Sequence, residues 1–375
     1  MTGPDCTENE GGFVRSAREL ASSGLVTPEN ASPLAAVEER YAIAISPDIA
    51  ALIDPADPAD PIARQFVPDV RELDTHILER PDPIGDLAHQ PVPGIVHRYP
   101  DRVLLQAVKV CPVYCRFCFR RETVGPGAGQ VLGESELNAA CDYIAGNANI
   151  WEVILSGGDP LALSPRRIRE LMLRLSRIQH VRVVRIHTRV PVVEPRRVNP
   201  DLLAALKSFA RTVYVALHAN HPREISPSAA AACATLVDNG IPMVSQTVLL
   251  KGVNDDAATL AELMRLFVEH RIKPYYLHHP DLAPGTGHFR VSIEAGQELM
   301  RQLRGRLSGL AHPEYVIDIP GGFGKSPAAV AYVVNDGSLE GAGGYRIMDW
   351  QGVTHAYDDP AISAGSRSKP PRAAS

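Results

Sequence analysis

The stretch Val108–Glu122, VKVCPVYCRFCFRRE, constrains this chain more than any other. Its cysteines fall at Cys111, Cys115 and Cys118, a C-x3-C-x2-C spacing. Thiolates are soft ligands that favour iron–sulfur clusters, zinc and copper(I). A closed zinc site or an ordinary ferredoxin cluster takes a full set of protein ligands, one more than this loop offers. Three thiolates leave a metal position open, which argues for a reactive site. The apolar run Val103–Val110 reads as a strand, so the sulfurs would converge just beyond a strand end. Three buried core cysteines, or a zinc loop, are the alternatives.

The bulk properties exclude several classes. A chain of 375 residues with 45% hydrophobic and 22% charged residues is ordinary for a globular protein. A net charge of −5 offers no electrostatic case for nucleic acid or anionic membrane as a partner. No apolar run approaches a membrane span, and the polar start MTGPDCTENEGG does not read as a secretory signal. Six cysteines, three of them clustered, do not suggest a disulfide framework, and a reducing cytoplasm is expected.

Residues 1–95 read as an N-terminal arm, disordered over 1–12, helical in part over 13–50, then rich in proline and aspartate. Within it, DPADPADP reads as a linker. From His97 onward, strand-like runs at 103–110, 151–155, 181–186, 213–217, 243–249 and 274–278 alternate with helix-like segments. This pattern predicts an α/β fold, a partial (β/α)6 TIM-like barrel over 96–312 with an N-terminal helical arm and a short C-terminal extension. A further apolar run, Tyr315–Ile319, leads into a segment over 313–358 that carries Lys325. Residues 359–375 read as a disordered tail. Barrel chemistry sits beyond the C-terminal strand ends, where the cysteines, Gly157–Asp159, Arg189, His218, Gln246 and His279–Asp281 fall.

Each further motif has a bland reading beside a chemical one. In LSGGDP, Gly157 and Gly158 would let a ligand approach the backbone and Asp159 would accept from an amino group, or the turn is an ordinary strand-to-helix turn. Arg189 is suited to a carboxylate, or is a surface arginine. Lys325, in the glycine-rich loop GGFGKSP, is suited to pyridoxal phosphate (PLP), or is solvated. Arg98, Tyr99 and Arg102 in HRYPDR would clamp a phosphate, or are surface charge. Asp281 and Asp318 would pair a substrate cation, or are turn residues.

Taken together, HRYPDRVLL, the cysteine loop with FRRE, LSGGDP, VRIHTRVPVV, LHANHPREI, SQTVLLKGVND, KPYYLHHPDLAPGTGHFR and DIPGGFGKSP resemble lysine 2,3-aminomutase, a radical S-adenosylmethionine (SAM), PLP-dependent family. The resemblance runs from about Gly94 to about Asp358. It implies that Cys111, Cys115 and Cys118 ligate a [4Fe–4S] cluster whose remaining iron binds SAM. It implies PLP as an aldimine on Lys325, with Arg98, Tyr99 and Arg102 at its phosphate. Arg120 would pair the substrate α-carboxylate, and Asp281 and Asp318 the ε-ammonium of lysine. Gly157, Gly158, Asp159, Arg189, His218 and Gln246 would neighbour SAM. The implied reaction is 2,3-amino migration between L-lysine and L-β-lysine, started by a 5′-deoxyadenosyl radical and needing an external electron donor. Some members bind zinc through C-terminal cysteines and one from a neighbouring subunit. Here no cysteine follows Cys233 and Asp256 stands at the donated position, so no structural zinc is expected and a dimer is the default. The run His278–His279–Pro280 departs from the family. Arginine, ornithine or a lysine on an elongation factor is an alternative substrate. A non-catalytic iron–sulfur protein would not need Lys325, and an ordinary PLP enzyme would not need the cysteines.

Overall fold

The computed structural model describes residues 12–125, 131–335 and 344–359. The disorder expected at 1–12 and 359–375 falls outside these, apart from Gly12 and Asp359. Nine strands form one sheet in chain order: β1 Ile95–Tyr99, β2 Arg102–Val108, β3 Glu152–Gly157, β4 Val183–Thr188, β5 Thr212–His218, β6 Met243–Val248, β7 Ile272–His278, β8 Glu314–Ile319 and β9 Gly324–Pro327. Strands β2 to β8 are parallel, while β1 and β9 flank them antiparallel. The partial barrel is therefore present, and three strands extend it. The run Tyr315–Ile319 supplies a further parallel strand, HRY lies within β1, and Lys325 sits on β9 rather than in a loop. A separate antiparallel sheet joins β10 Val333–Asn335, β11 Gly344–Met348 and β12 Thr354–Asp358.

Local chemistry starts the crossover helices. Ser164, Asn199 and Ser226 each accept from the backbone N–H three residues on, and a proline follows each as the first helical residue. An N-cap oxygen satisfies an orphan donor, and proline lacks the N–H that would be orphaned there. Strand alternation then sorts the faces. Val153, Leu155, Val184, Ile186, Val215 and Leu217 are buried in the main core. Their neighbours Ile154, Ser156, Arg185, His187 and His218 line the lumen, as do Gln246, Val248, Tyr276, His278, Val316 and Asp318. Such a period of two is what a barrel wall imposes. The lumen holds a cavity of about 390 Å³ instead of stacked side chains. The two sheet edges meet where the Lys325 backbone N–H donates to the Tyr99 hydroxyl at 2.8 Å.

The arm docks on the barrel. Asp60 is fully buried, accepts from Ile62 N at 2.8 Å and Ala63 N at 2.7 Å, and pairs with Arg223 at 2.6 Å. DPADPADP is thus a capped, anchored turn and not a linker. A buried carboxylate needs such partners.

Candidate active site

The cysteine loop is held by the arm. Tyr114 N donates to Ala44 O at 3.0 Å and Arg116 N to Gln65 O at 2.8 Å. The Arg116 guanidinium, 1% exposed, donates to Glu72 at 2.9 and 2.6 Å and to Ala42 O at 2.8 Å. Arg121 also pairs with Glu72 and lies over the Tyr41 ring at 3.5 Å. Glu72 is fully buried, so two arginines offset its desolvation. All three thiols line the cavity. Burial raises Cys118 to about 11 and drives Cys111 well above its ordinary value, and the neighbouring thiols push the same way. Burial raises Cys115 too, against the opposing pull of Arg189. Among the described residues, no three His, Cys, Asp or Glu side chains meet around a single ion.

Beyond β3, a Cβ on Gly157 would lie 2.6 Å from Val108 O, and one on Gly158 would lie 2.3 Å from Val110 O. The glycines therefore let the turn pack against the backbone that leads into Cys111, a different reason from ligand approach. The Asp159 carboxylate is filled by the chain itself. It accepts from Thr188 Oγ1 at 2.7 and 2.9 Å, Arg189 N at 2.8 Å and Leu161 N at 3.0 Å. It shapes the turn beyond β4 rather than offering a free acceptor. Arg189 donates to Cys115 Sγ at 2.9 Å, to Gln65 at 3.2 Å and to fully buried Glu224. Burial alone would lower this guanidinium, but Cys115 and Glu224 outweigh it and raise it.

On the lumen wall, Lys325 and Asp318 are cross-strand partners in the β8–β9 register. Lys325 Nζ donates to both carboxylate oxygens at 2.7 Å, and His278 Nδ1 lies 3.7 Å from Asp318. Burial favours protonated Asp318, but His278 and Lys325 prevail and hold it low. Asp281 is raised to about 7, by burial first and by Asp318 second, with Lys325 and Arg120 opposing. Two interacting, buried carboxylates split their titrations in this way. Arg98 and Arg120 both pair with Asp86, at 3.1 and 2.8 Å. Arg102 lies over the Tyr99 ring at 3.9 Å and pairs with Asp101 at 2.7 Å. Gln246 contacts His187 at 3.4 Å. Every residue given a binding or catalytic role from the sequence lines this cavity, whereas His279, from the same strand end, contacts the Tyr315 hydroxyl at 2.8 Å. Sequence reasoning missed Glu72, Asp86, Gln65, Glu224 and His187. Only the basic residues beside the cysteines gave a signal, since they require acids somewhere.

Residues 106–264 match the family model described as the Radical SAM superfamily. An L-lysine 2,3-aminomutase of Clostridium subterminale is 37% identical over 92% of this chain and 82% of its own. That of Acetoanaerobium sticklandii is 38% identical over the same shares, 92% and 82%. The chain belongs to the lysine 2,3-aminomutase family. It is a radical SAM isomerase of the aminomutase type. A glutamate 2,3-aminomutase of Clostridioides difficile also matches this family member, at 35% identity over 87% of this chain and 76% of that one. Among solved structures, a radical SAM methyltransferase from Sphaerobacter thermophilus has a TM-score of 0.42 at 23% identity, over 59% of this chain and 68% of that one.

The cofactors of the lysine 2,3-aminomutase family are a [4Fe–4S] cluster, SAM and PLP. The cavity suits them. Three soft thiols converge on it, and Arg98 Nε, Arg189 Nε and His218 Nε2 are buried there without a partner. The two orphan guanidinium donors are costly unless an anionic ligand meets them, and His218, which burial keeps neutral, can donate or accept there. Apolar Phe117, Leu250 and Phe289 pack beside the cysteine side and exclude water.

Proposed function

We propose that this enzyme interconverts L-lysine and L-β-lysine, with PLP carried on the Lys325 amine. Supporting this is that one cavity is lined both by the carboxylates Asp281 and Asp318 and by the arginines Arg98, Arg102 and Arg120. An α-amino acid with a distal cation matches that polarity, whereas glutamate would set carboxylate against carboxylate. In this reading Cys111, Cys115 and Cys118 hold the cluster, and Arg98, Tyr99 and Arg102 hold the PLP phosphate. Arg120 takes the substrate carboxylate, and Asp281 and Asp318 take its ammonium. Arg189, His218, Gln246 and the Gly157–Gly158 turn flank SAM. When bound, the reduced cluster and SAM supply a 5′-deoxyadenosyl radical, and PLP supplies the π system that carries the migrating nitrogen. The chain's part is to fix Cβ near the radical carbon and keep water out. The reading includes an external one-electron reductant, a cytoplasmic location and a homodimer. Among the described residues, no helix is long and apolar enough to cross a membrane.

Anaerobically reconstituted enzyme supplied with SAM, dithionite and single amino acids tests the assignment. Lysine should be isomerised in preference to arginine, ornithine and glutamate, and preference for glutamate would overturn it. Asp281 also sets a pH profile. A cation needs the carboxylate, and Asp281 titrates at about 7. Below that pH the KM for lysine should rise about tenfold per unit, and above it should level off. Asp281→Asn should raise KM and flatten the profile; a wild-type KM independent of pH between 5 and 8 would remove Asp281 from the ammonium site.

A further inference from the structure

We propose that Asp86 is a positioning residue that selects for the substrate carboxylate by fixing the rotation of Arg120. The inference rests on the proposed role of Arg120. Asp86 is 8% exposed and belongs to the arm, whereas the residues it meets belong to the barrel. Its Oδ2 accepts from Arg120 Nε at 3.1 Å, Arg120 Nη2 at 2.8 Å and Gln106 Nε2 at 3.2 Å. Its Oδ1 accepts from Arg98 Nη2 at 3.1 Å, and Arg98 also donates to Ile84 O at 2.7 Å. One side of the Arg120 fork is thereby occupied. Nη1 donates to Ser156 Oγ at 3.3 Å, and the edge formed by Nη1 and Nη2 keeps further N–H donors. A guanidinium is planar, so holding one edge fixes where the other points. That outer edge suits end-on, bidentate pairing with a carboxylate.

The loop is built to hold Asp86 still. Asp82 accepts from Asp86 N at 2.8 Å and Leu87 N at 2.9 Å. Gly85 has φ +68°, and a Cβ there would lie 2.4 Å from Gly322 N. His89 Nε2 lies 2.9 Å from Gly322 O. The loop is therefore wedged against the turn that leads to Lys325. Asp86 ties the arginine assigned to the phosphate, Arg98, to the one assigned to the substrate, Arg120. A merely structural acid would not discriminate between ligands that have a carboxylate and ligands that lack one.

The test measures equilibrium binding to PLP-loaded enzyme of three amino acids and their decarboxylated counterparts: lysine and cadaverine, arginine and agmatine, ornithine and putrescine. Wild type should bind its preferred amino acid more tightly than the matching amine. Asp86→Asn keeps the volume but puts an N–H toward an arginine, and should weaken the amino acid by about tenfold or more while leaving the amine within about twofold. Asp86→Glu should recover part of the difference, and the absorbance of Lys325-bound PLP reports that each variant is folded. Equal loss for amino acid and amine, or no loss in either variant, overturns the role of Asp86 while leaving the function intact. A wild type that binds no cationic amino acid overturns the proposed function and this inference with it.

Discussion

Replacing Lys325 by alanine should lower amino-group migration by roughly three orders of magnitude or more, because under the proposed role the covalent anchor of PLP is lost rather than weakened. The absorbance of protein-bound PLP should vanish. Iron content and slow reductive cleavage of SAM should survive, because the cysteine loop is braced by the arm and β9 pairs with β8. Cys115→Ala should invert the pattern, with iron and SAM cleavage lost and PLP still bound. If SAM cleavage in Lys325→Ala fell with isomerisation, the two halves of the cavity would not be separable as described. The substitution also frees Asp318, whose Nζ contacts of 2.7 Å disappear. Its carboxyl then loses one of the groups holding it low, and Asp281 loses a charge that opposes its protonation.

Glu72→Ala should be the most damaging change outside the cavity. It leaves Arg116 and Arg121 buried without a carboxylate, and breaking such a pair costs about 3–5 kcal/mol. Both arginines belong to the cysteine loop, so the expected signature is combined: a lower Tm and fewer iron atoms retained per chain after anaerobic reconstitution. Glu72→Gln, which keeps two acceptor lone pairs but no charge, should fall between. Wild-type melting and wild-type iron loading in Glu72→Ala would mean that the arm does not brace the loop.

Local patterns in the sequence carried much of this. The cysteine spacing and alternating strands and helices are periodic or contiguous signals, and they led to the loop beyond β2 and to the barrel. Ser164, Asn199 and Ser226 announce helix starts without tertiary knowledge. The order of motifs also brought Asp281, Asp318, Lys325 and Arg120 into one expected site, and all of them line the cavity. What stayed hidden depends on long-range pairing. Glu72 and Asp86 sit in a proline- and aspartate-rich arm, where a buried acid looks the same as a solvated one. Nothing local distinguishes Asp60, which is buried, from Asp57, which is exposed. Short strands such as β1 and β9 have no periodicity to read, so Lys325 looked like part of a loop. Asp159 was read as an acceptor for a ligand because the residues that fill it, Thr188 and Arg189, come from the next strand.

The Tyr99–Lys325 hydrogen bond spans 226 positions of the chain. Contacts so distant carry a large loop-closure cost and form late relative to neighbouring strand pairs. Each intermediate pairing from β2 to β8 joins neighbours in the chain, whereas this one joins the two ends of the sheet. Maturation of the enzyme therefore has a built-in sequence. The Lys325 backbone N–H reaches the Tyr99 hydroxyl only after the whole wall has been assembled, so a nascent chain that stops short of β9 lacks both Lys325 and the contact that joins the two sheet edges.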